Sequence, residues 1–151
     1  AMQVAREMGA ARLEASAQGN LGLALAAQGR LPEAVANYQA ALDLARAGGL
    51  RMVASYFLGH LAVAEARLAR HDSAQACLAE SAALLGPGGD PSQLALLACA
   101  RCECAWRRGD ADAARAALAE AHALAPPAAT LPMSELGLAY ATVGALLGTE
   151  A

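Results

Sequence analysis

The chain has 151 residues, of which 57% are hydrophobic, 3% aromatic and 17% charged, a balance that excludes a disordered chain. Its 44 alanines and 24 leucines supply most of the apolar share and favour helices, whereas a β-sandwich or barrel would want Val, Ile, Thr and aromatics. The net charge of −3 comes from singly scattered acids and arginines, without the basic stripe and stacking aromatics of a nucleic-acid binder. All 11 basic residues are Arg, and Lys and Ile are missing altogether, which reads as GC-rich coding bias more than physical need.

In chain order the sequence predicts about eight helices, over 1–8, 11–28, 32–47, 51–69, 73–85, 91–108, 111–125 and 132–148. Apolar residues step by three and four, as Leu21, Leu25, Leu31 and Val35, Tyr38, Leu42 do around a break at Gly29-Arg30. Gly48-Gly49 ends the third helix. Asp72 followed by Gln75 reads as an N-cap, and Gly86-Pro87-Gly88-Gly89 closes the helix it opens. Asp90-Pro91 with Gln93 reads as a second N-cap, with proline at the first helical position. Pro126-Pro127 and Pro132 bracket the last connection. Mean hydropathy is positive, +0.32. Even so, the charge-free stretches at 15–29 and 136–149 fall short of a membrane span and carry Gln, Asn, Gly or Thr. No signal peptide is visible, and reduced thiols in a cytoplasmic protein are the expectation.

Shifted by 40 residues, the chain matches itself without gaps. NLGLALAAQGRLPEAVANYQAAL at 20–42 overlays HLAVAEARLARHDSAQACLAESA at 60–82 and ARCECAWRRGDADAARAALAEAH at 100–122. Small residues recur at Gly22, Ala62 and Cys102, and at Ala34, Ala74 and Ala114. A large residue recurs at Tyr38, Leu78 and Leu118, with Ala41, Ser81 and Ala121 three positions on. The repeats are 11–50, 51–90 and 91–130, with partial copies at 1–10 and 131–151, forming one stacked unit. Leu136, Leu138, Val143, Leu146 and Leu147 give the last helix more apolar surface than a polar cap would have. The register therefore predicts a piece of a longer protein, cut at both ends, that self-associates through its exposed end helices.

The run NLGLALAAQGRLPEAVANYQAALDLA at 20–45 resembles the tetratricopeptide repeat. Leu21-Gly22 fall at its Leu-Gly pair, Gly29 at its turn, and Ala34, Tyr38 and Ala41 at its small-large-small positions. In the third copy Cys102 replaces the glycine, while Gly109, Ala114, Leu118, Ala121 and Pro126 fit the pattern. Gln18, Leu58 and Ala98 stand where Trp is usual, and the 40-residue period exceeds the family's usual 34. Long repeats of this kind look like the arrays in large bacterial signalling proteins and transcription regulators of the maltose-activator type. The resemblance implies an all-α solenoid, a right-handed superhelix of stacked antiparallel helix pairs whose first helices line a concave groove. It also implies a non-enzymatic protein–protein interaction scaffold in the bacterial cytoplasm. Its partner would be a protein, a peptide or another domain of the same chain. Inducer sensing and homo-oligomerisation are the alternatives.

Carrying that register across, the groove holds Ser16, Gly19, Leu23 and Ala26, then Tyr56, Gly59, Val63 and Ala66 with Arg67 beside them. The third copy adds Leu96, Cys99, Glu103 and Trp106, with Arg107 adjacent. Tyr56, Val63, Arg67, Glu103, Trp106 and Arg107 are the partner-binding candidates, because Trp and Arg are enriched at binding hot spots. Trp106 either serves as such an anchor or fills space against the neighbouring repeat. Gly19, Leu23, His60, Leu96 and Ala100 occupy the positions where the family's carboxylate clamp has Lys, Asn and Arg, so that clamp is not expected. The small apolar floor also offers few groups to orient a sugar or nucleotide.

No catalytic motif is present: no GxSxG, HExxH or Walker loop, and Gly86–Gly89 lacks the strand and Lys-Ser/Thr of a phosphate loop. On a helix, Cys99 and Cys102 share a face and Cys104 points away, whereas tetrahedral zinc needs four convergent ligands. Core packing is the reading for these thiols, with metal or redox use the alternative. Neither cofactor nor metal is expected, and His71 and His122 read as solvated.

Overall fold

A computed structural model describes residues 1–148, and residues 149–151, the tail of the expected last partial repeat, lie outside the described residues. Seven α-helices follow in order: α1 (Met2–Ala27), α2 (Leu31–Ala47), α3 (Arg51–Arg67), α4 (His71–Leu85), α5 (Pro91–Arg107), α6 (Ala111–Leu124) and α7 (Glu135–Leu147). A single 3-10 turn, Pro127–Ala129, precedes the last, and no strand occurs among the described residues. α1 pairs with α2, α3 with α4 and α5 with α6; α2 then packs on α3 and α4 on α5. The first helices α1, α3, α5 and α7 also touch in succession.

The turns show why the pairs close as hairpins. Gly29, Ala69 and Gly109 take left-handed φ values of 76°, 60° and 87°. Past each of them, the amides of Arg30, Arg70 and Asp110 bond the carbonyls of Leu25, Glu65 and Ala105 at 2.9, 2.8 and 2.9 Å. This is a Schellman closure, which satisfies helix-end carbonyls while turning the chain back. Ala69 is the one non-glycine with positive φ among the described residues. A left-handed alanine costs about 1–2 kcal/mol, and glycine's extra freedom in the unfolded chain offsets about 0.4–1 of that. Ala69→Gly should therefore stabilise the protein by about 0.5–1 kcal/mol, read as a higher urea midpoint at unchanged slope. A midpoint that stays or falls would show that the turn is unstrained.

The repeated small and large positions carry the core. Ala34, Ala74 and Ala114 are buried, as are Tyr38, Leu78 and Leu118 beyond them. A methyl on Gly22 would lie 2.8 Å from the Tyr38 ring, so this small position is fixed by close approach. Tyr38, Phe57, Leu58 and Leu61 pack with α1 and α2 residues in one cluster. Leu78, Leu97 and Cys104 join α4 to α5, and Cys102, Leu118, Leu136, Tyr140 and Val143 join α5, α6 and α7.

Several expectations are corrected. The predicted helices 1–8 and 11–28 are one continuous helix, so the described residues form seven α-helices and not eight. Gly9 overlays Gly49, but it stands alone where Gly48-Gly49 is a pair. A single glycine among Met8, Ala10 and Ala11 costs about 1 kcal/mol, too little to stop a helix. Asp72 is no cap: α4 starts at His71 without a side-chain cap. Asp90 does cap α5, accepting the Gln93 amide at 3.1 Å. The last helix starts at Glu135, capped by Ser134, three residues after Pro132. Leu21 is exposed while its counterpart Leu61 is buried, because no helix among the described residues covers the outer side of α1. His122 is half-buried, with its ring edge-on to Tyr140 at 4.9 Å.

Candidate functional site

Small side chains at Gly59 on α3, Ala100 on α5 and Ala139 on α7 stop short of filling the space between these three helices. The result is a cavity of about 300 Å³. Its walls are apolar: Val63, Leu96, Leu97, Cys99, Leu138 and Val143 line it. Ser55 and Ser81 also reach it, but they satisfy each other. Ser55 Oγ donates to the Ser81 carbonyl at 3.2 Å, Ser81 Oγ donates to the Ser55 carbonyl at 2.9 Å, and the hydroxyls are 3.0 Å apart.

Charge is confined to two places on the lining. Near the C-terminal ends of α3 and α5, the buried Glu103 carboxylate accepts from two guanidinium groups. Arg67 donates through Nε at 2.8 Å and Nη2 at 3.3 Å, and Arg107 through Nε at 3.2 Å and Nη2 at 3.1 Å. The Glu103 side chain is 5% exposed, against 31% for Arg67 and 36% for Arg107. The hydrogen bond to Glu103 holds the Arg67 pKa above its ordinary value, outweighing burial. Toward the start of α3, Glu135 of α7 accepts from Tyr56 Oη at 2.5 Å and lies 3.3 Å from His60 Nε2. The hydrogen bond with His60, helped by the one from Tyr56, holds the Glu135 carboxyl below its usual range despite burial. Burial, reinforced by the bond to Glu135, pushes the Tyr56 phenol up. Glu135 is thus held as a carboxylate between Tyr56 and His60.

Of the candidates named from sequence, Tyr56, Val63, Arg67 and Glu103 line this one cavity. Arg107 and Trp106 do not. Arg107 reaches the site only through Glu103, and Trp106 is 38% exposed, outside both the lining and the core clusters. The first-copy positions Ser16, Gly19, Leu23 and Ala26 take no part: Gly19 is covered by the Phe57 ring, and a Cβ there would lie 2.0 Å from it. Ala66 is buried against α4 and α5. Glu135, Leu138 and Thr142 line the cavity and escaped sequence reading. Extending the 40-residue register from Cys99 and Glu103 gives Ala139 and Val143, which do line it. The same step from Leu96 gives Leu136, which is buried in the core instead.

No protein-family model matches the chain, and no curated protein or solved structure matches it either. The cavity is therefore read from its own chemistry. Among the described residues, no three His, Cys, Asp or Glu side chains stand together as metal ligands. Cys99 and Cys102 sit in the α5–α6–α7 cluster, while Cys104 faces α4. Burial pushes the Cys99 and Cys104 thiols up to about 12, and Cys77 and Cys102 to about 11. The thiolate is the reactive form, so thiols of this kind are inert near neutrality. Native protein at pH 8 should react slowly with a disulfide reagent at all four cysteines and rapidly at all four in denaturant. A fast-reacting native thiol would restore the redox reading. No helix of the described residues is long and apolar enough to cross a membrane.

Proposed function

We propose that this chain is a non-enzymatic recognition module of tetratricopeptide type, working in a bacterial cytoplasmic signalling or transcription regulator. In this reading the helix pairs stack as a right-handed solenoid, and the face of first helices receives a protein partner or another domain of the same chain. The observation that carries it is the clustering of Tyr56, Val63, Arg67 and Glu103 on one recess, with Trp106 and Arg107 exposed beside it. Aromatic and arginine anchors around a recess are the usual composition of a binding hot spot.

Site-specific photo-crosslinking in cells tests the reading. A crosslinking residue at position 106 should capture one discrete partner, and the same residue at position 115 on α6 should not. Equal capture from both positions, or none from 106, would sink it. A second reading, inducer sensing, is favoured by one specific observation. The recess is a cavity lined by α3, α4, α5 and α7 and charged at two separate places, so it has the form of a small-molecule site as well as a contact surface.

A further inference from the structure

The charges around the cavity are unequal, and that inequality points to a ligand. Glu103 accepts four hydrogen bonds from Arg67 and Arg107, three on Oε1 and one on Oε2. Two guanidinium groups sharing one carboxylate leave a positive charge over. Arg67, which lines the cavity, donates to Glu103 through Nε and Nη2, and its Nη1 has no hydrogen-bond partner among the described residues. The opposite end carries Glu135, a carboxylate that repels anions. Arg67 stands seven positions after His60 on α3, about 10 Å at the helical rise. That interval is walled by apolar side chains.

We propose that the cavity binds a small hydrophobic monocarboxylate, with its carboxylate on Arg67 and its apolar body lying along α5 and α7 toward Glu135. The proposal rests on the ligand-sensing reading and gives it a chemical class. Sugars and nucleotides do not suit walls this apolar. A cationic amphiphile would have to set its charge on Glu135, whose carboxylate already accepts from Tyr56 Oη and lies against His60.

Titration calorimetry on the full chain tests this with three ligands of equal length, decanoate, decanol and decylammonium, below micelle-forming concentrations. Decanoate should bind at least tenfold more tightly than either of the others. Shortening the acid to octanoate and hexanoate should cost about fourfold in affinity per methylene. Arg67→Gln should remove the preference for decanoate and leave decanol binding unchanged. Should that variant misfold, the unmodified protein supplies the same answer through salt, which should weaken decanoate and spare decanol. Ala139→Trp, which fills the cavity, should abolish binding of all three.

Decanol binding as tightly as decanoate, or decylammonium binding more tightly, overturns the carboxylate assignment while leaving a ligand cavity in place. Failure of every chain to bind folded protein overturns the proposal and the ligand-sensing reading together.

Discussion

Replacing Gly19 by alanine should cost the protein about 2–3 kcal/mol or more, the upper range for forcing an extra methyl into a packed core. The new Cβ would lie 2.0 Å from the Phe57 ring, with two further ring carbons at 2.1 and 2.4 Å. The ring has no easy retreat. It is buried, stacked near Tyr38 at 6.3 Å between centroids, and edge-on to Tyr56 at 5.0 Å. Either α1 lifts from α3 or Phe57 leaves its rotamer, and both expose core surface. Because domains of this kind are stable by only about 5–15 kcal/mol, the loss should appear as a melting point several degrees lower. Pairing Gly19→Ala with Phe57→Leu should recover part of it, since the smaller side chain vacates the space. A Gly19→Ala protein as stable as the parent would mean that α1 and α3 are further apart than described.

The second large effect is expected at the buried carboxylate. Arg67→Met alone leaves Glu103 paired with Arg107, and Arg107→Met alone leaves it with Arg67, so each single change should be moderate. Together they strand a side chain that is 5% exposed and has no other cation bonded to it among the described residues. Removing the partners of a buried charge costs about 3–5 kcal/mol. The double variant should therefore lose more stability in urea than the two single losses added together. A neutral carboxyl is far cheaper to bury than a carboxylate. The extra deficit should thus be full near neutral pH and shrink on acidification, the reverse of a favourably paired acid. Strict additivity of the two single losses would show that Glu103 is already hydrated.

The turns and the hairpin pairing were legible in the sequence because both follow from local rules repeated every 40 residues. Gly29 and Gly109 announce left-handed turns. Ala69 does not, and the expected helix 51–69 runs through it, whereas α3 ends at Arg67. The errors have a common origin in reading single residues without their neighbours. Gly9 looked like Gly49, yet it lacked the second glycine that makes the stop. Asp72 looked like a cap, but α4 begins one residue before it, at His71.

The candidate site was half legible. Tyr56, Val63, Arg67 and Glu103 obey the repeat register, and so do Ala139 and Val143. Glu135 falls on the same register as Ser55 and Ala95, but neither of those residues announces a charge at this position. No periodicity could tell that a carboxylate from α7 meets Tyr56 and His60, 79 and 75 residues earlier.

That meeting bears on how the molecule comes apart. In stacked repeats each unit holds only its neighbours, so ends fray first and melting proceeds stepwise along the stack. Here Glu135 reaches past α5 to grip α3, which ties the final helix to the middle of the chain. Amide hydrogens of α7 should then exchange with solvent at the same opening free energy as those of α3, while the first turns of α1 exchange far faster. Breaking the tie with Glu135→Ala should release α7 as a separate, earlier event. The same three side chains that close the cavity would then also set the size of the protein's cooperative folding unit.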